Sequence, residues 1–185
     1  EIDQIRELGV EILCNQNIGK DGDTTIEQLI KKNDAVVMAA GTLSPNILDL
    51  PGKDKGGILH GLDFLLEANE TGKSDIGKNV IVVGGGFTAM DCARTAIRLG
   101  SPSSVYYRRS RDEMSVTKDE VDELIHEKIP LELMVGPVSY NGDGDVNSMR
   151  FIRNELGEPD EGGRRRPVAV EGSEFDVDVD TILLA

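Results

Sequence analysis

The stretch NVIVVGGGFTAMDCARTAIRLGSPSSVYY, residues 79–107, decides the fold of this 185-residue chain. It opens with a predicted strand at 79–83, in which the continuous apolar run at 80–83 indicates burial on both faces. The glycine triplet at 84–86 predicts a turn, and residues 88–99 carry apolar side chains at helical spacing. A second apolar run at 105–107 predicts the next strand. Strand, glycine turn, helix and strand in this order predict a βαβ unit and therefore a parallel sheet.

The glycine turn matches the pattern G-x-G-x-x-A. In this pattern the first glycine permits the turn off the strand, and the second lets a pyrophosphate approach the backbone. The small last residue lets the helix pack closely on the sheet, while the helix amides and dipole favour phosphate. A purely structural turn is the alternative, but the strand before the motif and the helix after it favour a nucleotide. The candidate cofactor-binding residues of the motif are Gly84, Gly85, Gly86, Phe87, Thr88 and Ala89.

Three arginines, Arg108, Arg109 and Arg111, follow the second predicted strand. An NAD-specific domain usually places Asp or Glu there to bind the ribose 2′-hydroxyl. Guanidinium groups instead bind a 2′-phosphate through charge-assisted hydrogen bonds. A solvated basic turn is the alternative, but the formal net charge of the chain is −14, so this cluster opposes the overall balance. The sequence therefore predicts binding of NADP(H) rather than NAD(H).

Charge and cysteine content exclude several other classes of function. An acidic surface repels nucleic acid and anionic lipid headgroups, and no apolar run approaches the ~18 residues of a membrane span. The two cysteines, Cys14 and Cys92, form no CxxC pattern, so the chain holds no four-cysteine iron–sulfur or zinc site. We expect no metal, nucleic-acid or membrane partner, and a reducing, cytoplasmic location.

Outward from the central unit, the patterns predict further elements. Upstream, they predict helices at 1–9, Thr25–Lys32 and Leu62–Glu70, strands at Val10–Leu13 and Asp34–Ala40, and a loop at Ser44–Gly57. Downstream, they predict a helix capped by Thr117 and a small β-meander with strands near 131–135, 148–153 and 167–170. The final run, Asp180–Ala185, is predicted to return to the parallel sheet.

Several of these segments resemble one family. VIVVGGGFTAMDCARTAIRL at 80–99, YYRRSRDEM at 106–114 and GEPDEGGRRRPVAVEGSEFDVDVDTILLA at 157–185 resemble the NADPH-binding segment of the glutamate synthase small-subunit (β-chain) family. LGVEI at 8–12, DAVVMAAGT at 34–42 and LPGKD at 50–54 resemble the flavin-domain segment that precedes it. The likeness covers nearly the whole chain, with the motifs in the family's order.

The resemblance implies an NADPH-dependent flavoprotein reductase. In this family the NADPH domain interrupts an FAD domain, hydride passes from nicotinamide to flavin, and electrons continue through iron–sulfur clusters to a partner subunit. The matching positions are Gly84, Gly86, Ala89, Arg108 and Arg109. The departures are Phe87 for the usual Asn, Ala40 for Thr and Ser115 for Pro.

The resemblance also implies that the chain is a piece of a larger protein. The family's cysteine-rich N-terminal domain and first FAD glycine motif are absent, as is everything after Ala185. The expected fold class is α/β. Residues 73–185 would form a Rossmann-like, three-layer NADP(H)-binding domain with a parallel sheet and β-meander. Residues 1–72 would be a linker and a partial second dinucleotide-binding domain, the remnant of the FAD domain.

A remnant of this kind has consequences for activity and assembly. We expect the chain to bind no FAD and to show no reductase activity by itself. Electrons in the parent protein would pass to a larger synthase subunit or an iron–sulfur acceptor. An uncovered apolar strand is a ready interface, which makes a homo-oligomer through the remnant one expectation. No acid–base residue is named, because the cofactors carry the redox chemistry.

Two other functions compete with this interpretation. A non-catalytic nucleotide-binding or interaction module would keep the glycine turn but transfer no hydride. An NAD-dependent small-molecule dehydrogenase would need a Tyr-Lys or His-Asp arrangement after the second strand, and the sequence has none there.

Overall fold

The computed structural model describes residues 1–41 and 48–185. The chain divides into two compact units, Glu1–Thr42 and Leu43–Ala185. The predicted loop Ser44–Gly57 lies partly outside the described residues, and its described part, 48–57, contains no helix or strand.

The first unit contains two short helices, α1 (Ile2–Glu7) and α2 (Ile26–Lys32). Both confirm the sequence prediction. At the start of α2 the Thr25 side chain accepts a hydrogen bond from the Gln28 amide, and the Gln28 side chain accepts one from the Thr25 amide. This reciprocal capping satisfies two amides that a helix start leaves free.

The two strands predicted in the first unit, Val10–Leu13 and Asp34–Ala40, are wrong. The structure gives neither segment a strand, and apolar side chains in them are open to solvent, Val37 being 88% exposed. A strand is stabilised by hydrogen bonds to a neighbouring strand. Residues 1–41 supply no such ladder, so apolar composition alone does not produce a sheet there.

The second unit is built on a parallel sheet. In residues 48–185 its strands run in the order β1, β9, β2, β3, β4, all parallel. The strands are β1 (Ile58–His60), β2 (Val80–Val83), β3 (Ser103–Tyr107), β4 (Leu131–Leu133) and β9 (Thr181–Leu184). The helices of this unit are α3 (Gly61–Thr71), α4 (Phe87–Arg98) and α5 (Lys118–His126).

The antiparallel sheet forms a separate layer. Its strands are β5 (Val135–Asn141), β6 (Ser148–Pro159), β7 (Arg165–Ala169) and β8 (Phe175–Asp178). The long strand β6 pairs with each of the other three. The predicted strand 131–135 is wrong as a single element, because Met134 adopts φ 62° and separates β4 from β5. A left-handed residue interrupts the extended backbone, so the chain passes from one sheet to the other there.

The parallel sheet is buried on both faces, as its apolar strands predict. Val80 and Val82 join the core on the helix side with Phe64, Met90 and Leu124. Ile81 and Ile182 join the opposite core, against the antiparallel sheet, with Met149 and Phe151. On that side the ring of Phe151 stacks on Tyr106 at 4.5 Å. The three layers are helices, parallel sheet and antiparallel sheet, which confirms the predicted α/β class.

The predicted boundary near residue 72 remains a prediction about which segments descend from a flavin domain. In the structure, β1 and α3 belong to the same unit as the rest of the parallel sheet. The sequence missed β1 because it is only three residues long and depends on a partner, β9, more than 120 residues away.

An ion-pair cluster joins α4 to α5. The Arg94 guanidinium lies 3.1 Å from a Glu123 carboxylate oxygen and 2.8 Å from one of Glu127, and Arg98 also contacts Glu127 at 2.8 Å. The hydrogen bond from Arg94 lowers the pKa of Glu127. The cluster holds α5 against the C-terminal half of α4, away from the glycine turn at its start.

We expect the two cysteines to differ sharply in reactivity. Cys92 is fully buried on α4, and burial raises the pKa of its thiol to about 12, whereas Cys14 is exposed. Because the thiolate is the reactive form, Ellman's reagent at pH 8 should titrate one thiol in the native chain and two after denaturation. Cys14→Ser should remove the native signal, and rapid reaction of both thiols in the native chain would contradict the assignment.

Candidate nucleotide-binding site

The glycine turn joins β2 to α4 at the carboxyl edge of the parallel sheet. β2 ends at Val83 and α4 begins at Phe87, with Gly86 as the helix N-cap in an extended conformation (φ −98°, ψ 179°). The Gly84 amide donates to the Tyr106 carbonyl at 3.1 Å. This bond continues the β2–β3 ladder into the turn and fixes where the helix starts.

Packing explains two of the three glycines. A Cβ on Gly84 would overlap the Ala185 carbonyl at the end of β9, and a Cβ on Gly85 would overlap the ring of Tyr107. None of the three adopts a positive φ. Close approach of neighbouring backbone and ring atoms, rather than a left-handed turn, therefore requires glycine at 84 and 85.

Gly86 has a different environment. Outside the adjacent residues 85 and 87, a Cβ there would have one neighbour within 4 Å in the part of the chain that the structure describes, the Ser115 hydroxyl oxygen at 3.9 Å. The protein itself does not require glycine at this position, because the space above it is open. A small ligand group could occupy that space, which is what the sequence predicts for a pyrophosphate.

The start of α4 offers hydrogen-bond donors to the same space. Among the described residues no side chain caps the helix N-terminus. A helix start leaves amides without partners inside the helix, although here the Ala89 amide donates to the Gly86 carbonyl at 3.1 Å. Ala89 is fully buried under the turn, so α4 packs closely on the sheet, as its small size predicts. Phe87 is 50% exposed at the first helical position, and Thr88 is half-buried.

The order of the strands places the turn at a switch point of the sheet. From β2 the chain passes through α4 to β3 and on to β4, whereas β9 and β1 lie on the other side of β2. The β9 end meets the turn directly, since the Ala185 amide donates to the Val83 carbonyl at 3.0 Å. Dinucleotides bind in the crevice outside the carboxyl ends of the strands where the strand order reverses in this way.

The three arginines after β3 do not share one environment. Arg108 is exposed. The Arg111 side chain donates to the Thr117 carbonyl at 3.0 Å, within the loop that leads to α5. Arg109 is only 6% exposed, and its guanidinium is engaged by the protein.

The partners of Arg109 lie in the β6–β7 hairpin. Its Nε donates to the Arg165 carbonyl at 2.8 Å, and one Nη donates to the Asp160 carboxylate at 3.2 Å. Hydrogen bonds from the Arg164 and Gly162 amides, together with the charge of Arg109, lower the pKa of Asp160. Through these two hydrogen bonds, Arg109 connects the β6–β7 hairpin to the end of β3.

Sequence reasoning did not identify Ser115 as a residue of this site, although its hydroxyl lies opposite Gly86. One sequence feature could have pointed to it: Ser115 stands where the glutamate synthase small-subunit family usually has proline. Within residues 1–41 and 48–185, no group of three or more His, Cys, Asp or Glu side chains is arranged to hold a metal ion. In the part of the chain that the structure describes, no helix is long and apolar enough to cross a membrane.

Curated relatives align with all or nearly all of this chain. The NADPH-Fe(3+) oxidoreductase subunit beta of Geobacter sulfurreducens is 44% identical and covers 100% of this chain. The glutamate synthase (NADPH) small chain of Halomonas elongata is 39% identical over 97% of this chain, which confirms the resemblance drawn from the motifs. The alignments cover only 28% and 40% of these two relatives.

Solved structures share the fold at low sequence identity. FprA of Mycobacterium tuberculosis in complex with NADPH matches with a TM-score of 0.70 at 19% identity, over 88% of this chain and 51% of that chain. Thioredoxin reductase of T. acidophilum matches with a TM-score of 0.56 at 14% identity, over 76% of this chain and 40% of that chain.

The family comparison covers almost the entire sequence. Residues 3–185 match the pyridine nucleotide-disulphide oxidoreductase family. Because the match includes the glycine turn, the loop after β3 and the returning strand β9, the chain belongs to the pyridine nucleotide-disulphide oxidoreductase family.

Proposed function

We propose that this chain is the NADP(H)-binding part of a flavoprotein reductase of the glutamate synthase small-subunit type. Its pyrophosphate site is the turn Gly84–Ala89 with the first amides of α4, and its 2′-phosphate site lies at the end of β3. In the parent protein, hydride passes from NADPH to FAD and electrons pass to a partner subunit or iron–sulfur domain. The nicotinamide supplies the hydride when the cofactor is bound, and the residues of this chain hold it in place.

The open space over Gly86 carries this proposal. It adjoins the uncapped start of a 12-residue helix, at the switch point of a parallel sheet. Amides at a helix start and the helix dipole stabilise an anion there. The uncovered backbone at Gly86 and the amides of α4 therefore support a pyrophosphate at this position, and a side chain at residue 86 would take up its space.

The 2′-phosphate proposal rests chiefly on Arg108. Its side chain is exposed at the end of β3, where the sequence has no carboxylate to repel a phosphate. Arg109 donates from its Nε and one Nη to the hairpin, so we assign it the role of a positioning residue beside the site. Arg111, half-buried in the following loop, adds positive charge nearby.

The parent activity is proposed from the relatives. The Geobacter and Halomonas relatives carry NADPH in their names. A third relative, the NADP(+)-dependent formate dehydrogenase subunit beta of Moorella thermoacetica, is 40% identical. No FAD-binding residue is assigned, because residues 1–41 contain no strand that leads through a glycine turn into a helix. Reduction of bound FAD by NADPH in the full-length gene product would test this part, and a product that binds no flavin would refute it.

The chain should bind NADPH more tightly than NADH. Each charged hydrogen bond to the 2′-phosphate contributes about 1.5–3 kcal/mol, so we expect NADPH to bind roughly 10- to 100-fold more tightly. Calorimetric titration of both reduced nucleotides at one ionic strength measures the ratio, because phosphate contacts weaken with salt. Equal affinities would contradict the 2′-phosphate site, and no binding of either nucleotide would contradict the proposed function itself.

A further inference from the structure

The loop after β3 places one hydroxyl opposite the glycine turn. Ser115 Oγ lies 3.9 Å from the position that a Cβ of residue 86 would occupy, and within residues 1–41 and 48–185 it is the one atom within 4 Å outside residues 85–87. The residue itself is exposed. Its hydroxyl therefore borders the same open space as the uncapped start of α4.

The residues around Ser115 hold this loop in place. Met114 and Val116, on either side, are 8% and 6% exposed and enter the core on the helix side of the sheet. The Tyr107 hydroxyl donates to the Glu113 carbonyl at 2.9 Å. Between these two buried residues, Ser115 itself is exposed. Ser115 is thus held between two buried anchors with its own side chain turned outward.

We propose that the Ser115 hydroxyl donates a hydrogen bond to the pyrophosphate of the bound dinucleotide, across the phosphates from the amides of α4. This inference rests on the proposed function, since it assigns a further ligand to the same site. An O–H···O bond spans about 2.7–2.8 Å, so a phosphate oxygen seated over Gly86 is within reach of Ser115. A bond to an anionic oxygen is stronger than one between neutral groups.

The proposal separates two contributions to nucleotide affinity. NADPH and NADH carry the same pyrophosphate and differ only at the 2′-position. Ser115 should therefore strengthen the binding of both nucleotides by the same factor, whereas Arg108 should strengthen the binding of NADPH alone. Adenosine 2′-monophosphate lacks the pyrophosphate, so its affinity should not depend on Ser115.

The test is a set of titrations on the 185-residue chain with NADPH, NADH and adenosine 2′-monophosphate. Ser115→Ala should raise the Kd of both dinucleotides about tenfold and leave that of the monophosphate unchanged. Ser115→Thr keeps the hydroxyl and should stay within about threefold of the wild-type affinity. Ser74→Ala removes a serine hydroxyl that instead contacts Glu67, and should change none of the three values. Thermal melting of each variant verifies the fold.

Three results would overturn the role of Ser115 while leaving the site intact. They are a Ser115→Ala variant that binds NADPH within twofold of wild type, an equal loss of affinity for the monophosphate, and a Ser115→Thr variant as weak as Ser115→Ala. A wild-type chain that binds neither dinucleotide would instead refute the proposed function, and with it this inference.

Discussion

We expect Gly86→Val to abolish the binding of both NADPH and NADH while the chain keeps its fold. The backbone of Gly86 is extended (φ −98°, ψ 179°), a conformation that valine adopts without strain. Among the described residues beyond 85–87, the Ser115 hydroxyl oxygen would be the one atom within 4 Å of its Cβ, at 3.9 Å. The branched methyl groups would occupy the space proposed for the pyrophosphate, so the loss falls on binding. The change of N-cap residue costs roughly 1 kcal/mol of stability.

Two matched variants sharpen the test. Gly19 also has open space around its missing Cβ and no positive φ, so Gly19→Val should change neither nucleotide binding nor the melting temperature by much. Gly85→Ala, unlike Gly86→Val, should lower the stability of the fold. Its Cβ would overlap the Tyr107 ring, and overpacking costs about 1–3 kcal/mol. Circular dichroism and calorimetry separate these outcomes. A folded Gly86→Val variant with wild-type affinity would show that the turn does not hold the phosphates.

We expect Arg108→Ala to remove the preference for NADPH. The side chain is exposed and lies where the ribose of the adenosine half is expected. Loss of one charged hydrogen bond should weaken NADPH binding by about 1.5–3 kcal/mol, roughly 10- to 100-fold in Kd. The Kd for NADH should stay within about twofold, since NADH has no 2′-phosphate. Binding of both nucleotides at several salt concentrations measures this, and an unchanged NADPH:NADH ratio would refute the assignment.

Arg109→Ala is the matched comparison, one residue away. Its truncation leaves the Asp160 carboxylate and the Arg165 carbonyl without their shared donor. Asp160 is itself partly open to solvent, so we expect a loss of about 1–3 kcal/mol in the free energy of unfolding, less than for a fully buried pair. Urea unfolding measures this loss. A normal stability with a large loss of NADPH affinity would instead make Arg109 a direct phosphate ligand.

The contrast between these neighbouring arginines shows where sequence reasoning reaches its limit. Both lie in one basic cluster that follows β3. The sequence does not reveal that the hairpin around Asp160 and Arg165 folds back against Arg109, because those residues lie more than 50 positions away. The sequence predicts that both arginines follow the second strand, but it does not predict where each side chain points or which residues it contacts.

Strand prediction had the same limit. Val10–Leu13 and Asp34–Ala40 have the composition of strands but form none, whereas Ile58–His60 forms β1. The difference lies in the neighbours: β1 pairs with β9, and no strand lies beside the other two segments within residues 1–41. Hydrogen bonds to an adjacent strand stabilise the extended chain, and a short apolar run does not encode whether that strand is present.

The sequence by itself determined the central β2–α4–β3 unit, the return of β9 to the parallel sheet and the position of the glycine turn. These features follow from local periodicity and from spacings of a few residues, which one continuous stretch contains. Only the tertiary structure decided why glycine is needed at 84 and 85, that Arg108 is exposed while Arg109 is buried, and that the Ser115 hydroxyl lies near Gly86. Those answers depend on contacts between residues distant in sequence. The β9 end, the Tyr107 ring and the loop before α5 meet at the turn, and the β6–β7 hairpin meets Arg109 after β3, only once both sheets have packed.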